Sequence, residues 1–134
     1  MEYSMNEKAK QLISFQNQKL LTNLDETFGL PIYQDTVSQD ERPETLNLFL
    51  LVFGDFTAGE NPSTLNQEIY VTYLAEGSDT VETDSLDVIS AVSKVKAIQF
   101  LRTEKDQVQK LDTDEYVDRV NFIFRRTVKY ECPV

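Results

Sequence analysis

Histidine and tryptophan are absent from this chain of 134 residues, and Cys132 is its one cysteine. Without histidine no Ser-His-Asp or Cys-His pair can form, and a histidine-built zinc site is excluded. One cysteine allows no intramolecular disulfide, which points to a reducing compartment. Only Lys129 lies near enough in sequence to favour a Cys132 thiolate, so Cys132 reads as a bystander. Basic residues are scarce: 13 Lys and Arg stand against 23 Asp and Glu, a formal net charge of −10. A nucleic-acid binder normally needs the opposite balance to displace counterions from phosphate. Long apolar runs are missing too. The longest, Leu48 to Phe53, is far short of the roughly 20 residues that span a bilayer. The N-terminal MEYSMNEKAK carries no basic region followed by an apolar run, so it does not read as a signal peptide. These absences predict a soluble, cytosolic protein with no membrane partner.

Motifs that carry chemistry are equally thin. Gly54-Asp55-Phe56-Thr57-Ala58-Gly59 imitates the first half of a phosphate-binding loop, but Glu60-Asn61 follows where Lys-Ser/Thr is required. An acid there repels the phosphate that the lysine should hold, which leaves a hairpin loop. The acid-rich stretches Glu76–Asp84 and Glu104–Glu115 lack the alternating acids, central glycine and terminal glutamate of an EF-hand, and read as solvated loops. In Asn61-Pro62-Ser63 the proline blocks glycosylation. Carboxylates are plentiful, but no spacing singles out a pair; an enzyme built on two of them needs a deep pocket with raised pKa values. Catalytic, cofactor-binding and metal-ligating residues are therefore expected to be absent, and the chain is expected not to be an enzyme.

What is present is a set of well-patterned elements. A hydrophobic fraction of 40% fits one folded domain large enough to bury a core. Ser4-Met5-Asn6-Glu7 has the form of a capping box. Behind it Met5, Ala9, Leu12, Ile13, Leu20 and Leu24 make a one-sided helical stripe, with a fray or break expected near Asn23. Phe28-Gly29-Leu30-Pro31 ends that helix. Pro31–Tyr33 reads as a short strand, and Gln34–Thr45, which contains Pro43, as a loop. Leu46–Phe53 is a continuous apolar strand, buried on both faces or in a subunit contact. A loop over Gly54–Thr64 joins it to a second strand, Gln67–Ala75. Asp84 is expected to cap a helix over Ser85–Lys96 whose Leu86, Ile89, Val92 and Val95 face the sheet, with Val88 at the edge of that stripe. A strand follows over Ala97–Thr103, resuming near Gln107–Leu111, and Asp112-Thr113-Asp114 turns into the last element. The expected core is Leu48, Leu50, Val52, Val71, Leu86, Ile89, Val92, Val120, Phe122 and Phe124. The order predicts a single small α+β domain over residues 1–134, an antiparallel or mixed sheet with two helices on one face. Glu76–Thr83 and Gly54–Thr64 are expected to be mobile until assembly orders them.

The chain is organised around Tyr116–Tyr130, YVDRVNFIFRRTVKY. Its even positions are mostly aromatic and β-branched and its odd positions mostly polar, the period-2 pattern of a half-buried strand. At about 3.3 Å per residue it runs near 50 Å, so it bends over the core or overhangs it. Arg126 interrupts the apolar face, with Arg125 beside it. Either the strand has left the core by then, or this end overhangs and pairs with acids of a neighbouring subunit. The candidate protein-interface residues are Arg125, Arg126, Lys129, Tyr130 and Phe56.

With its size and element order, the chain resembles the tail terminator, or tail-completion, proteins of long-tailed bacteriophages. Three passages carry the resemblance: the leader helix running into GLPIY and then LNLFLLVF; QEIYVTYLAEG leading through an acidic linker into SLDVISAVSKV; and DRVNFIFRRTVKY. The resemblance implies a small α+β fold, a hexameric ring that caps the tail tube and joins tail to head, and no catalytic residues. The implied partners are further copies of the chain, the tail tube protein and a head-completion or connector protein. The implied location is the host cytoplasm during assembly and then the head–tail junction of the virion. Six copies at −10 each sum to about −60, and a lumen of that sign lets DNA pass without specific binding. The alternative is a small acidic binding module, of inhibitor or immunity type, that masks a basic partner.

Overall fold

The computed structural model describes residues 5–36 and 44–131. Ser4, Pro43 and Cys132 lie outside them, so the expectations placed on those residues have no structural counterpart. The first helix, α1 (Glu7–Phe28), is one unbroken element. Its 22 residues span about 33 Å at the usual rise. No break occurs at Asn23, whose amide instead donates to the Ala91 carbonyl at 3.0 Å. Gly29 closes α1 in the left-handed conformation, φ 66°, donating its N–H to Asp25. That conformation costs a glycine almost nothing.

Strand β1 (Ile32–Gln34) runs parallel to β2 (Leu48–Ala58), and every other neighbour is antiparallel. β3 (Thr64–Ala75) returns from β2, α2 (Val81–Ser93) crosses above the sheet, and β4 (Ile98–Gln109) pairs with β5 (Tyr116–Lys129). The sheet order is β1-β2-β3-β5-β4. The fold is thus α+β, two helices packed against a five-stranded mixed sheet. Leu20 and Leu24 of α1, with Val88, Ala91 and Val92 of α2, close over Phe49, Leu51, Ile69, Val71, Phe122 and Phe124. Phe49 stacks on Tyr73 at 5.1 Å and meets the edge of Phe28 at the same distance. The inward face of β5 is the even one, as its alternation predicts.

Several expectations are corrected. The core face of β2 is Phe49, Leu51 and Phe53; Leu50 and Val52 turn to the opposite face and are half-buried. Leu48 is buried, though outside the main cluster. Helix α2 begins at Val81, four residues before Ser85, and Asp84 is not its cap; it accepts hydrogen bonds from Tyr73 and Thr80. Leu86 is 65% exposed. Each three-residue step around a helix falls about 60° short of a turn, so Leu86 ends roughly opposite Val95. The real stripe is Val81, Val88, Ala91, Val92 and Val95.

The segment expected as a loop over Gly54–Thr64 is strand as far as Ala58. The turn that remains is tied by Asn61, which accepts from the Ser63 N–H and, through its carbonyl, from the Thr64 N–H. Glu76 is likewise anchored, accepting from Lys110 Nζ at 2.7 Å and from the Leu46 N–H. Finally, β5 does not overhang. β3 flanks it from Asp118 to Lys129 and β4 from Tyr116 to Arg126.

Candidate interaction surface

Among the described residues, one face of the sheet carries no helix. Directly paired residues of adjacent strands share a face, so the register sets its rows. Val52 lies beside Tyr70, Tyr70 beside Ile123, and Ile123 beside Arg102. The neighbouring row brings Leu50, Thr72, Asn121 and Glu104 together, and Thr72 donates to Asn121 at 2.6 Å. The side formed by β2 and β3 carries Leu50, Val52 and Tyr70, with Glu68 opposite Arg125 and accepting from the Tyr70 hydroxyl, and the side formed by β5 and β4 is charged. Arg119 holds Asp106 in a two-nitrogen ion pair, which keeps that carboxyl below its ordinary range. Arg102 reaches Glu104 at 3.3 Å. Arg125 donates to Gln99 at 3.1 Å and makes no ion pair among the described residues.

Two bulges decide which residues join this face. An extra residue in β4 between Phe100 and Arg102 puts Phe100 toward the core and Arg102 on the open face. An extra residue in β2 between Phe53 and Phe56 puts both phenylalanines on the helix side. Beyond the helices' reach, Phe56 is 51% exposed. Gly54 on the open face is covered by the Tyr70 ring: a Cβ there would approach the ring to 2.9 Å.

The five expected interface residues consequently do not form one surface. Arg125 and Lys129 lie on the open face, half-buried and exposed respectively. Tyr130 is half-buried beyond the end of β5, its N–H bonded to the Ser63 carbonyl at 2.9 Å. Phe56 is exposed on the other side of the sheet. Arg126 is no surface residue: it is 2% exposed. Its Nε and Nη2 donate to Gln67 Oε1 at 2.8 and 2.6 Å, and Nη1 donates to Asn17 Oδ1 at 2.6 Å. The guanidinium also lies 5.1 Å from the centre of the Phe53 ring, a cation–π arrangement. Gln67 in turn donates to the Gly54 carbonyl at 2.9 Å. No carboxylate is among these contacts, and burial pulls the Arg126 pKa down to about 10. Neither reading made from the sequence describes it; the arginine is an internal polar bolt between α1, β3 and β5.

Among the described residues no group of His, Cys, Asp or Glu is placed to hold a metal ion, and no helix is long and apolar enough to cross a membrane. No family of known sequences matches the chain, and no curated protein does. Among solved structures, a chain of the virion of a native gene transfer agent particle is similar. The fold recurs in a virion. The similarity has a TM-score of 0.52 at 13% identity and covers 84% of this chain and 92% of that one. At that identity what is shared is the fold.

Proposed function

We propose that this chain is a structural protein of a phage or phage-like particle, a tail terminator that caps the tail tube and joins it to the head as a closed six-membered ring. The observation that carries the reading is the shared fold, which spans most of both chains in a gene transfer agent virion. An open, mixed apolar and arginine-bearing sheet face adds to it, because a ring needs a surface for the next subunit. Catalysis has no part in the proposal. The ring's partners are further copies of the chain, the tube end on one side and a head-completion protein on the other.

A terminator stops tube growth, so its absence has a specific consequence. Particles assembled without this chain are expected to show tubes of uncontrolled length and no joined heads by electron microscopy. Tubes of normal length joined to heads in its absence would sink the reading. One feature favours the acidic binding module instead: Glu76–Asp87 holds five acids and no base. That alternative expects a one-to-one complex with a basic protein whose on-rate falls steeply with salt.

A further inference from the structure

We propose that the turn between β4 and β5 of one copy docks beside α1 of the next, Leu111 and Tyr116 on Leu12 and Phe15, with Asp112, Asp114 and Glu115 among Lys8, Lys19, Lys94 and Lys96. The contact rests on the assembly reading above and names two surfaces for it. Lys8, Leu12, Phe15 and Lys19 step by four, three and four, which sets them along one side of α1. All four are exposed, Phe15 at 63%; Leu12, placed by the sequence pattern on the inward stripe, is among them. The cause is a difference in length. Helix α1 has 22 residues and α2 has 13, and Gln16 donates to the Lys96 carbonyl, just past the end of α2, at 3.0 Å. The turns of α1 before Gln16 therefore run on with no second helix beside them among the described residues. This corner is also basic on an acidic chain. No acid occurs from Lys8 to Leu24 or from Val88 to Thr103, and the Gln16–Lys96 and Asn23–Ala91 bonds hold those two stretches together. Glu7 and Glu131 stand beyond them, at the N-terminal tip of α1. None of Lys8, Lys19, Lys94 and Lys96 makes an ion pair among the described residues.

The turn has the opposite make-up. Leu111 and Tyr116 are large, exposed side chains that bracket Asp112, Asp114 and Glu115. None of these three acids makes an ion pair among the described residues, and the neighbouring base, Lys110, is held by Glu76 at 2.7 Å. The turn is also built in advance. The Lys110 N–H donates to the Glu115 carbonyl at 2.8 Å, and the Gln109 amide donates to the Thr113 carbonyl at 2.7 Å, so docking loses little freedom. Strand β4 leads from the basic corner to the turn over 12 residues, about 40 Å, and no subunit reaches its own patch. Patches of opposite sign at two ends of one subunit make a head-to-tail contact, which propagates to a ring when its rotation closes.

Charge reversal tests the pairing. Lys8→Glu with Lys19→Glu changes the helix side; Asp114→Lys with Glu115→Lys changes the turn. All four side chains are exposed, so circular dichroism should find both variants folded. Each is expected to raise about tenfold the concentration at which oligomers form in sedimentation velocity, and the chain carrying both reversals to bring it back. As a second measurement, Phe15→Cys with Leu111→Cys in a Cys132→Ser background is expected to give a ladder of disulfide-linked oligomers, where a single cysteine stops at a dimer. If the chain assembles and either the combined reversal restores nothing or no ladder forms, this docking is wrong while the assembly reading stands. A DNA duplex held by wild type and released by the lysine variant, with the turn reversal without effect on assembly, gives the patch to a phosphate backbone and also overturns the docking. A chain that stays monomeric at every concentration, and with tail tubes present, overturns both.

Discussion

Replacing Arg126 separates a bolt inside the fold from a contact at its surface. The side chain is 2% exposed, and burial pulls its pKa down to about 10, a penalty of about 3 kcal/mol on the charged form. Against that stand three charge-assisted hydrogen bonds to Gln67 and Asn17, each contributing about 1.5–3 kcal/mol. Arg126→Met keeps most of the aliphatic stem and removes the penalty. It orphans the two amide oxygens at about 1–3 kcal/mol each, so the expected loss is about 0–3 kcal/mol. Arg126→Ala adds a cavity and should cost about 3–5 kcal/mol. Arg126→Glu points a buried carboxylate at two carbonyl oxygens and is expected to leave the domain unfolded at room temperature. Arg125→Glu, one residue away on the open face, should change stability by less than about 1 kcal/mol. Urea unfolding followed by circular dichroism ranks the four. An Arg126→Glu chain that unfolds at the wild-type midpoint would refute the buried placement of this arginine.

Three further outcomes follow from the same geometry. Phe122→Ala should cost about 3–5 kcal/mol, because Phe122 is fully buried in the core; a loss under about 1 kcal/mol in urea would assign β5 the wrong inward face. Burial first, and the bond to Asp84 second, push the Tyr73 hydroxyl from 10.0 up to about 12. The fold therefore holds a proton that the unfolded chain releases, and wild-type stability should fall across pH 10 to 12 by about 2–3 kcal/mol relative to Tyr73→Phe; parallel curves for the two proteins would count against the buried hydroxyl. Glu76 is held below its ordinary 4.5 by the Lys110 bond and then by the Leu46 N–H. Its contribution is present above that pH and lost as pH falls through the folded value, so Glu76→Gln should be less stable at neutral pH and converge with wild type in acid; a gap that is independent of pH would exclude the carboxylate as its source.

Legibility followed the strength of each local pattern. Tyr116–Lys129 alternates cleanly, and its buried even face was readable down to Val120, Phe122 and Phe124. Gly29 and Pro31 marked the end of α1 for a stereochemical reason that no tertiary contact overrides. In LNLFLLVF both parities are apolar, so alternation carries no information about which side of β2 meets the helices. Only the tertiary pairing, Phe49 with Tyr73 and Leu51 with Val71, decides it. The bulges at Phe53/Phe56 and Phe100/Arg102 shift parity by one residue, which moved Phe56 off the expected interface and Arg102 onto the open face. Leu86 was misplaced because steps of three drift around a helix. Arg126 was misread because its partners, Asn17 and Gln67, lie far away in sequence and are neutral amides. A complementary acid would have been the signal, and none is among its described contacts.

The central claim is that this chain assembles on the end of a tail tube, and the mass of the native particle tests it most directly. Alone at low salt, copies at −10 each repel one another over about a Debye length, and sedimentation should find mostly monomer. With tail tubes added, the chain should cosediment with them and appear by electron microscopy as one ring at one tube end, at six copies per tube. A chain that remains in the monomer fraction when tubes are present in excess would contradict the account.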